Sequence, residues 1–249
     1  MNSSLLKYTT RIGDNCLILG QRMSMWCSNG PTLEEDIALA NISLDLFGQA
    51  NGFYLYAEEL NKKQTADDLA FKRNAKEFLN YQLVEIENKD FGHTIVRNFL
   101  FDTFQFLFYQ NLKESKDQTL SDIAHKAIKE VKYHLRHSKN WLLRLGDGTS
   151  ISNEKVQKSL NIIWQYTGEL FEIDEIDKEM IEKGIGIDTT LFKSEWIKTT
   201  SDIIKKANLK IPENITMQTG GKKGIHTEHL APLLTEMQYI PRKYADAKW

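Results

Sequence analysis

Apolar residues recur along the chain at intervals of three and four, the spacing of amphipathic α-helices. This spacing predicts a first helix over residues 5–26 and a second over 33–60. Thr32 and Glu35 form a capping-box pattern at the start of the second helix. Its apolar stripe is expected to comprise Leu33, Ile37, Ala40, Leu44, Phe47, Ala50 and Tyr54. Because only a short turn separates the two helices, we expect them to pack antiparallel.

Proline is absent between positions 31 and 212, so long helices are permitted over this interval. Short helices are predicted at 67–71 and 75–86, and long ones at 91–112 and 118–145. The first of these long helices is apolar around most of its circumference and is expected near the centre of a bundle. Later helices are predicted over 152–171, with Ser152 as N-cap, over 174–183 and 190–207, and after the stretch TGGKKG. The predicted class is all-α, a bundle of long antiparallel helices with additional C-terminal helices.

Composition narrows the range of functions. The chain has 249 residues, of which 41% are apolar, and a formal net charge of -2. That charge provides no global attraction to nucleic acid or to a membrane surface. We expect one domain over 1–249, with a bundle core at about 5–145 and C-terminal helices with a Gly-Lys loop at about 150–249. The N-terminus lacks a secretory signal and no window is apolar enough to span a membrane, so a soluble cytoplasmic protein is predicted.

Carboxylates interrupt the apolar stripes of three long helices. Asp45 lies in the middle of the second helix, Asp102 in the middle of FLFDTFQF, and Glu130 and His134 in KEVKYHLRH. A buried carboxylate needs a metal, a cation or hydrogen-bond donors. Two explanations remain: a carboxylate-bridged di-iron site, or a polar network with neighbours such as Arg97 and Asn98, which is the favoured one.

The spacing of the expected histidine ligands argues against iron. Di-iron bundles use Glu-x-x-His, because a carboxylate and an imidazole must leave the same helical face to share a metal. Gly48 stands three residues after Asp45, and Tyr133 stands three residues after Glu130, with His134 one position late. These six positions, counting Asp102, have the pattern of a degenerate di-iron site. We predict no metal and no catalytic residue in this chain.

Two Asp-x-x-His matches do occur, at Asp90 with His93 and at Asp122 with His125. The first pair falls at a helix start and the second on a polar helix face. We interpret them as a cap and as solvated charges, because a motif match needs its structural context to indicate a metal.

Four blocks of the sequence together resemble a known family: RIGDNCLILGQR, DIALANISLDLFGQA, EVKYHLRHS and TGGKKGIHTEHLAPLLTEMQ. The chain is similar over essentially its whole length to the structural, non-catalytic subunits of bacterial phenylacetyl-CoA ring epoxidases. The resemblance implies a ferritin-like fold, a function in phenylacetate catabolism, and a hetero-oligomer with a related catalytic subunit that holds the di-iron centre. It also implies that NADPH supplies electrons through a separate reductase containing FAD and an iron-sulfur cluster.

The Gly-Lys stretch is the candidate contact with a ligand or partner. Its residues are Gly220, Gly221, Lys222, Lys223, Gly224 and His226. Glycines and lysines before a helix suit an anion. In the resembled complex that anion is the CoA tail of the substrate, or acidic groups of the partner. A mobile surface loop is the alternative, and the P-loop pattern is absent.

Two other functions compete with the structural-subunit interpretation. An autonomous ferritin-like di-metal oxidase would require the missing histidines. A helical adaptor unrelated to oxygenases would account for the bundle, but not for the central carboxylates. A homodimer of the chain when it is alone stays open.

Overall fold

The computed structural model describes residues 2–245, and within that range every regular element is helical. The last four residues of the predicted C-terminal region lie outside it. The α-helices are α1 Asn2–Ser24, α2 Leu33–Asn61, α3 Ala66–Phe71, α4 Gln82–Glu85, α5 Phe91–Leu112, α6 Gln118–Gly146, α7 Ser150–Ile163, α8 Glu175–Glu182, α9 Lys193–Lys206 and α10 Leu230–Lys243. The all-α prediction is confirmed, and the helices are consistent with a ferritin-like bundle. No helix of the described part is long and apolar enough to cross a membrane.

The described residues divide into two compact units. Unit one contains residues 2–86 and 220–245, and unit two contains residues 87–219. The expectation of one domain over 1–249 stays a prediction.

In unit one, α1 and α2 pack antiparallel as predicted, and glycine allows their close approach. A Cβ on Gly13 would lie 2.7 Å from the Tyr54 ring, and a Cβ on Gly20 would lie 2.9 Å from the Phe47 ring. The Ser43 hydroxyl donates to the Gly20 carbonyl at 2.8 Å, which fixes the register of the pair. A side chain at either position would force the facing aromatic ring to shift or the two helices to separate.

The predicted stripe of α2 is wrong in part. Leu33, Ile37 and Leu44 are exposed, whereas the helix buries Leu39, Ile42, Leu46 and Phe53 among others. The helix carries apolar residues on two faces, and the three-and-four spacing fits either face. Packing against α1 buries the face that was not predicted.

The helix predicted over 75–86 is also wrong. The chain forms a single 3-10 turn at Ala75–Glu77 and the short α4, with an extended link between them. In the link, the Leu79 N–H donates to Asp14 at 2.7 Å and the Tyr81 N–H donates to the Asn15 side chain at 2.8 Å. Side chains of α1 therefore occupy donors that a continuous helix would have used internally.

In unit two, α5 and α6 pack antiparallel, and α5 is buried as predicted. From His93 to Tyr109, every α5 residue except Phe106 is buried. The Phe91 and Trp141 rings meet edge to face at 5.0 Å at one end of the pair. At the other end the Ser121 hydroxyl donates to the Lys113 carbonyl at 2.5 Å.

Two helix starts in unit two differ from the prediction. Thr149, not Ser152, is the N-cap of α7, since its hydroxyl accepts from the Ser152 N–H at 3.2 Å. The helix predicted from residue 190 begins at Lys193, after a 3-10 turn at Thr189–Phe192.

Candidate functional site

The Gly-Lys stretch is a folded turn on the surface of unit one. Residues 221–223 form a 3-10 turn, and Gly220, Gly221 and Lys222 are buried. The Lys222 ammonium lies 5.6 Å from the centroid of the Tyr81 ring. Lys223 is exposed. The two lysines therefore differ in access: Lys222 is packed inward, and Lys223 is open to solvent.

Gly224 is required where the turn meets the segment before α4. Its φ is +73°, and a Cβ there would lie 2.3 Å from the Lys76 carbonyl oxygen. An L-residue at this position would be strained and would also collide with backbone.

His226 closes the turn through a buried pair with Glu85. The His226 Nδ1 lies 2.8 Å from the Glu85 carboxylate, and the Nε2 lies 2.9 Å from the Phe78 carbonyl oxygen. Both partners can accept a hydrogen bond, so the ring is held between a carboxylate and a backbone carbonyl oxygen. The Glu85 carboxylate also accepts from the Thr227 N–H at 2.6 Å and from the Asn80 amide at 2.9 Å.

Arg22 of α1 links the backbone at Glu85 to the backbone at His229. Its Nε donates to the Glu85 carbonyl at 2.9 Å and its Nη2 donates to the His229 carbonyl at 2.7 Å. We call Glu85, His226 and Arg22 the clamp. It holds the backbone that follows the Gly-Lys turn. Binding of CoA or of a partner by this stretch stays a prediction.

In unit two, Asp102 is buried in a polar network between α5 and α6. Its carboxylate accepts from the Ser138 hydroxyl at 2.7 Å. Burial raises the pKa of the Asp102 carboxyl to about 6, and His134, the Ser138 hydrogen bond and Arg97 oppose that rise. The Arg97 guanidinium is fully buried and donates to Asn88 at 2.9 Å and to Asn98 at 3.3 Å. Asp102 therefore has a hydrogen-bond donor, Ser138, other than the predicted neighbours Arg97 and Asn98.

The other degenerate positions do not complete a metal site. Asp45 and Glu130 are half-buried, whereas Gly48 and Tyr133, which occupy the expected histidine slots, are exposed. His134 is buried, one position away from its slot. Across residues 2–245 no three His, Cys, Asp or Glu side chains come together to hold a metal ion. The residues present therefore do not fit a di-iron centre.

The two Asp-x-x-His matches are the cap and the solvated charges that were predicted. Asp90 is the N-cap of α5 and accepts from the His93 N–H at 2.7 Å. Asp122 and His125 are exposed, and Asp122 accepts from the Gln118 amide at 2.7 Å.

Comparison with known proteins decides the family. The family model described as phenylacetic acid catabolic protein matches residues 1–249. The chain belongs to this family. It is 46% identical to the C subunit of 1,2-phenylacetyl-CoA epoxidase from Escherichia coli (strain K12), over 99% of this chain and 100% of that protein. The resemblance inferred from the four sequence blocks is confirmed.

Sequence reasoning missed two buried charge clusters of this family member. One is the clamp. The other is Asp14, which pairs with Arg73 and accepts from the Tyr54 hydroxyl at 2.6 Å. Burial, followed by the nearby Asp14 carboxylate, raises the pKa of the Tyr54 phenol well above its ordinary value. Asp14 lies in RIGDNC between Ile12 and Cys16, and its partner Arg73 lies 59 residues away, so apolar spacing alone could not reveal the pair.

Proposed function

We propose that this chain is the structural, non-catalytic subunit of a phenylacetyl-CoA ring epoxidase complex that acts in phenylacetate catabolism. The observation that carries this proposal is the 46% identity to the C subunit of an epoxidase, which extends over the full length of that protein. The complex adds one oxygen atom of dioxygen across the aromatic ring of the CoA ester. We also propose a cytoplasmic location.

The chemistry is assigned to other subunits. In this proposal a related catalytic subunit holds the di-iron centre, and a reductase with FAD and an iron-sulfur cluster delivers electrons from NADPH. The local support is the polar network around Asp102, together with the exposure of Gly48 and Tyr133 where a di-iron bundle needs imidazoles. The contribution of this chain is to hold the catalytic subunit in its active shape.

Co-expression tests the proposal. This chain and the catalytic subunit should co-elute as one complex, and that complex with the reductase should oxidise phenylacetyl-CoA, while the chain alone should not. The iron should remain with the catalytic subunit when the two are separated. A purified chain that carries stoichiometric bridged iron and oxidises a substrate would support the di-metal oxidase instead.

The Gly-Lys stretch gives a second, narrower test. The exposed Lys223 is proposed to contact the phosphates of the CoA tail. Lys223→Ala should raise the KM of the complex for phenylacetyl-CoA about fivefold with little change in kcat, as expected for loss of one exposed charge pair. Lys206→Ala, an exposed lysine in the last turn of α9, is the control. Equal KM values for the two variants would rule out the contact.

A further inference from the structure

One face of α2 is both apolar and uncovered. Seven positions separated by three or four residues lie on this face, and all seven are exposed: Leu33, Ile37, Asn41, Leu44, Gly48, Asn51 and Leu55. The exposed fractions of its four large apolar side chains are 73% for Leu33, 53% for Ile37, 65% for Leu44 and 48% for Leu55. An exposed helix face with four large apolar side chains marks an interaction site more often than scattered surface leucines do.

The stripe is shaped to receive another helix or a side chain. A Cβ built on Gly48 would meet no atom within 4 Å, so the middle of the face is open and flat. Beside Asn51 the face continues into a groove of about 510 Å³ within unit one, lined in part by Phe47, Phe71 and Met237. An apolar pocket next to an apolar stripe is the usual setting of an interface anchor.

The charge of α2 indicates the chemistry of the occupant. Between Leu33 and Asn61 the helix contains six carboxylates and no lysine or arginine, although the whole chain has a net charge of only -2. Helical geometry places Glu34 and Asp45 beside the stripe on one side. Asp67 and Glu236 line the groove. Such a surface attracts an apolar surface that is flanked by lysine or arginine.

A second copy of this chain fits the face poorly. A symmetric dimer through α2 would bring together two identical acidic helices, with carboxylates such as Glu34 and Asp45 beside both stripes and no lysine or arginine on either helix. Like charges across an interface are unfavourable.

We propose that the α2 face, defined by the seven positions above, is the docking surface for a different subunit that presents apolar side chains flanked by lysine or arginine. This inference rests on the proposed function, in which that subunit is the catalytic one. The apolar stripe supplies the buried contact, and the carboxylates speed and orient the encounter.

The test measures binding of the purified catalytic subunit to variants of the full chain by surface plasmon resonance. Ile37→Gln with Leu44→Gln should raise Kd at least about tenfold, since apolar contacts at an interface centre dominate affinity. Glu34→Gln with Asp45→Asn should lower the association rate and flatten its dependence on salt. Leu191→Gln, which alters the exposed side chain of a 3-10 turn in unit two, is the matched control and should bind like wild type.

The outcomes separate this inference from the proposed function. If wild type does not bind the catalytic subunit, the proposed function and the partner assigned to α2 both fail. If wild type binds and the Ile37/Leu44 variant binds equally well, the docking surface is wrong and the proposed function stands. If that variant instead loses self-association of the isolated chain, the face serves a second copy and the inference is overturned. The Ile37/Leu44 variant should fold like wild type, because both side chains are more than half exposed. Circular dichroism melting checks this.

Discussion

At the scale of single residues, two buried titratable groups on α5 should respond to pH in opposite directions. Burial raises the pKa of Asp102 to about 6 from 3.8, so its linked stability is present below pH 4 and is lost as the pH rises through 6. Burial, with Arg97 next, lowers the pKa of His93 to about 4 from 6.5, so its linked stability is present above pH 6.5 and is lost as the pH falls toward 4. In wild type the two slopes oppose each other between pH 4 and 6.

Substitution should separate these slopes. Asp102→Asn removes the first group, so the variant should lose stability relative to wild type as the pH falls from 7 to 4.5, with a total change of up to roughly 3 kcal/mol. His93→Leu removes the second group, so this variant should gain stability relative to wild type as the pH falls from 7 to 4.5. Urea unfolding at several pH values measures both. If the unfolding free energies of the two variants and of wild type change in parallel with pH, burial does not shift the pKa values of Asp102 and His93.

The sequence predicted the burial of Asp102 but not its hydrogen-bond partner. A carboxylate inside an apolar stripe indicates burial by its position alone. The sequence contains several polar residues that could reach Asp102, including Ser138 and Arg97. Which of them meets Asp102 depends on the register of α5 against α6. That register is fixed by packing at both ends of the pair, which periodicity does not encode.

At the scale of elements, two glycines should respond differently to alanine. Gly48 lies inside α2 with open space around it, so Gly48→Ala should stabilise the protein by about 0.5 to 1 kcal/mol through helix propensity. Gly224→Ala should destabilise it by at least about 2 kcal/mol, because its backbone is left-handed and its Cβ would strike the Lys76 carbonyl. Urea unfolding measures both, and equal effects would contradict the close packing of the Gly-Lys turn.

The clamp should hold the C-terminal segment on unit one. His226→Ala leaves the fully buried Glu85 carboxylate without its imidazole partner, which should cost about 3 kcal/mol of unfolding free energy. Glu85→Gln with His226→Ala should cost less than the sum of the single changes, because the pair is coupled. His125→Ala, an exposed histidine of α6, is the control. Additive costs in the double-mutant cycle would show that the two side chains act independently.

Helices were predicted correctly where periodicity and capping agree. The prediction failed where side chains of α1 bind the backbone of another segment. The bounds of α5 and the packing of α1 on α2 followed from apolar spacing. The extended link at residues 78–81 did not, because its amide donors bind Asp14 and Asn15, which lie 65 and 66 residues away in the sequence. Leu33, Ile37 and Leu44 of α2 were assigned to the buried stripe although they are exposed, because two faces of the helix carry apolar residues.

At the scale of the whole molecule, iron in the proposed complex should not depend on the carboxylates of this chain. The double variant Asp102→Asn with Glu130→Gln removes two of the degenerate positions, one buried and one half-buried. Neither stands in a cluster able to hold a metal within residues 2–245. Iron per complex, measured by atomic emission, and turnover of phenylacetyl-CoA should therefore match wild type. A lower iron content in the complex with the double variant would mean that this chain supplies iron ligands. A wild-type complex stripped of iron and reloaded provides the reference for both measurements.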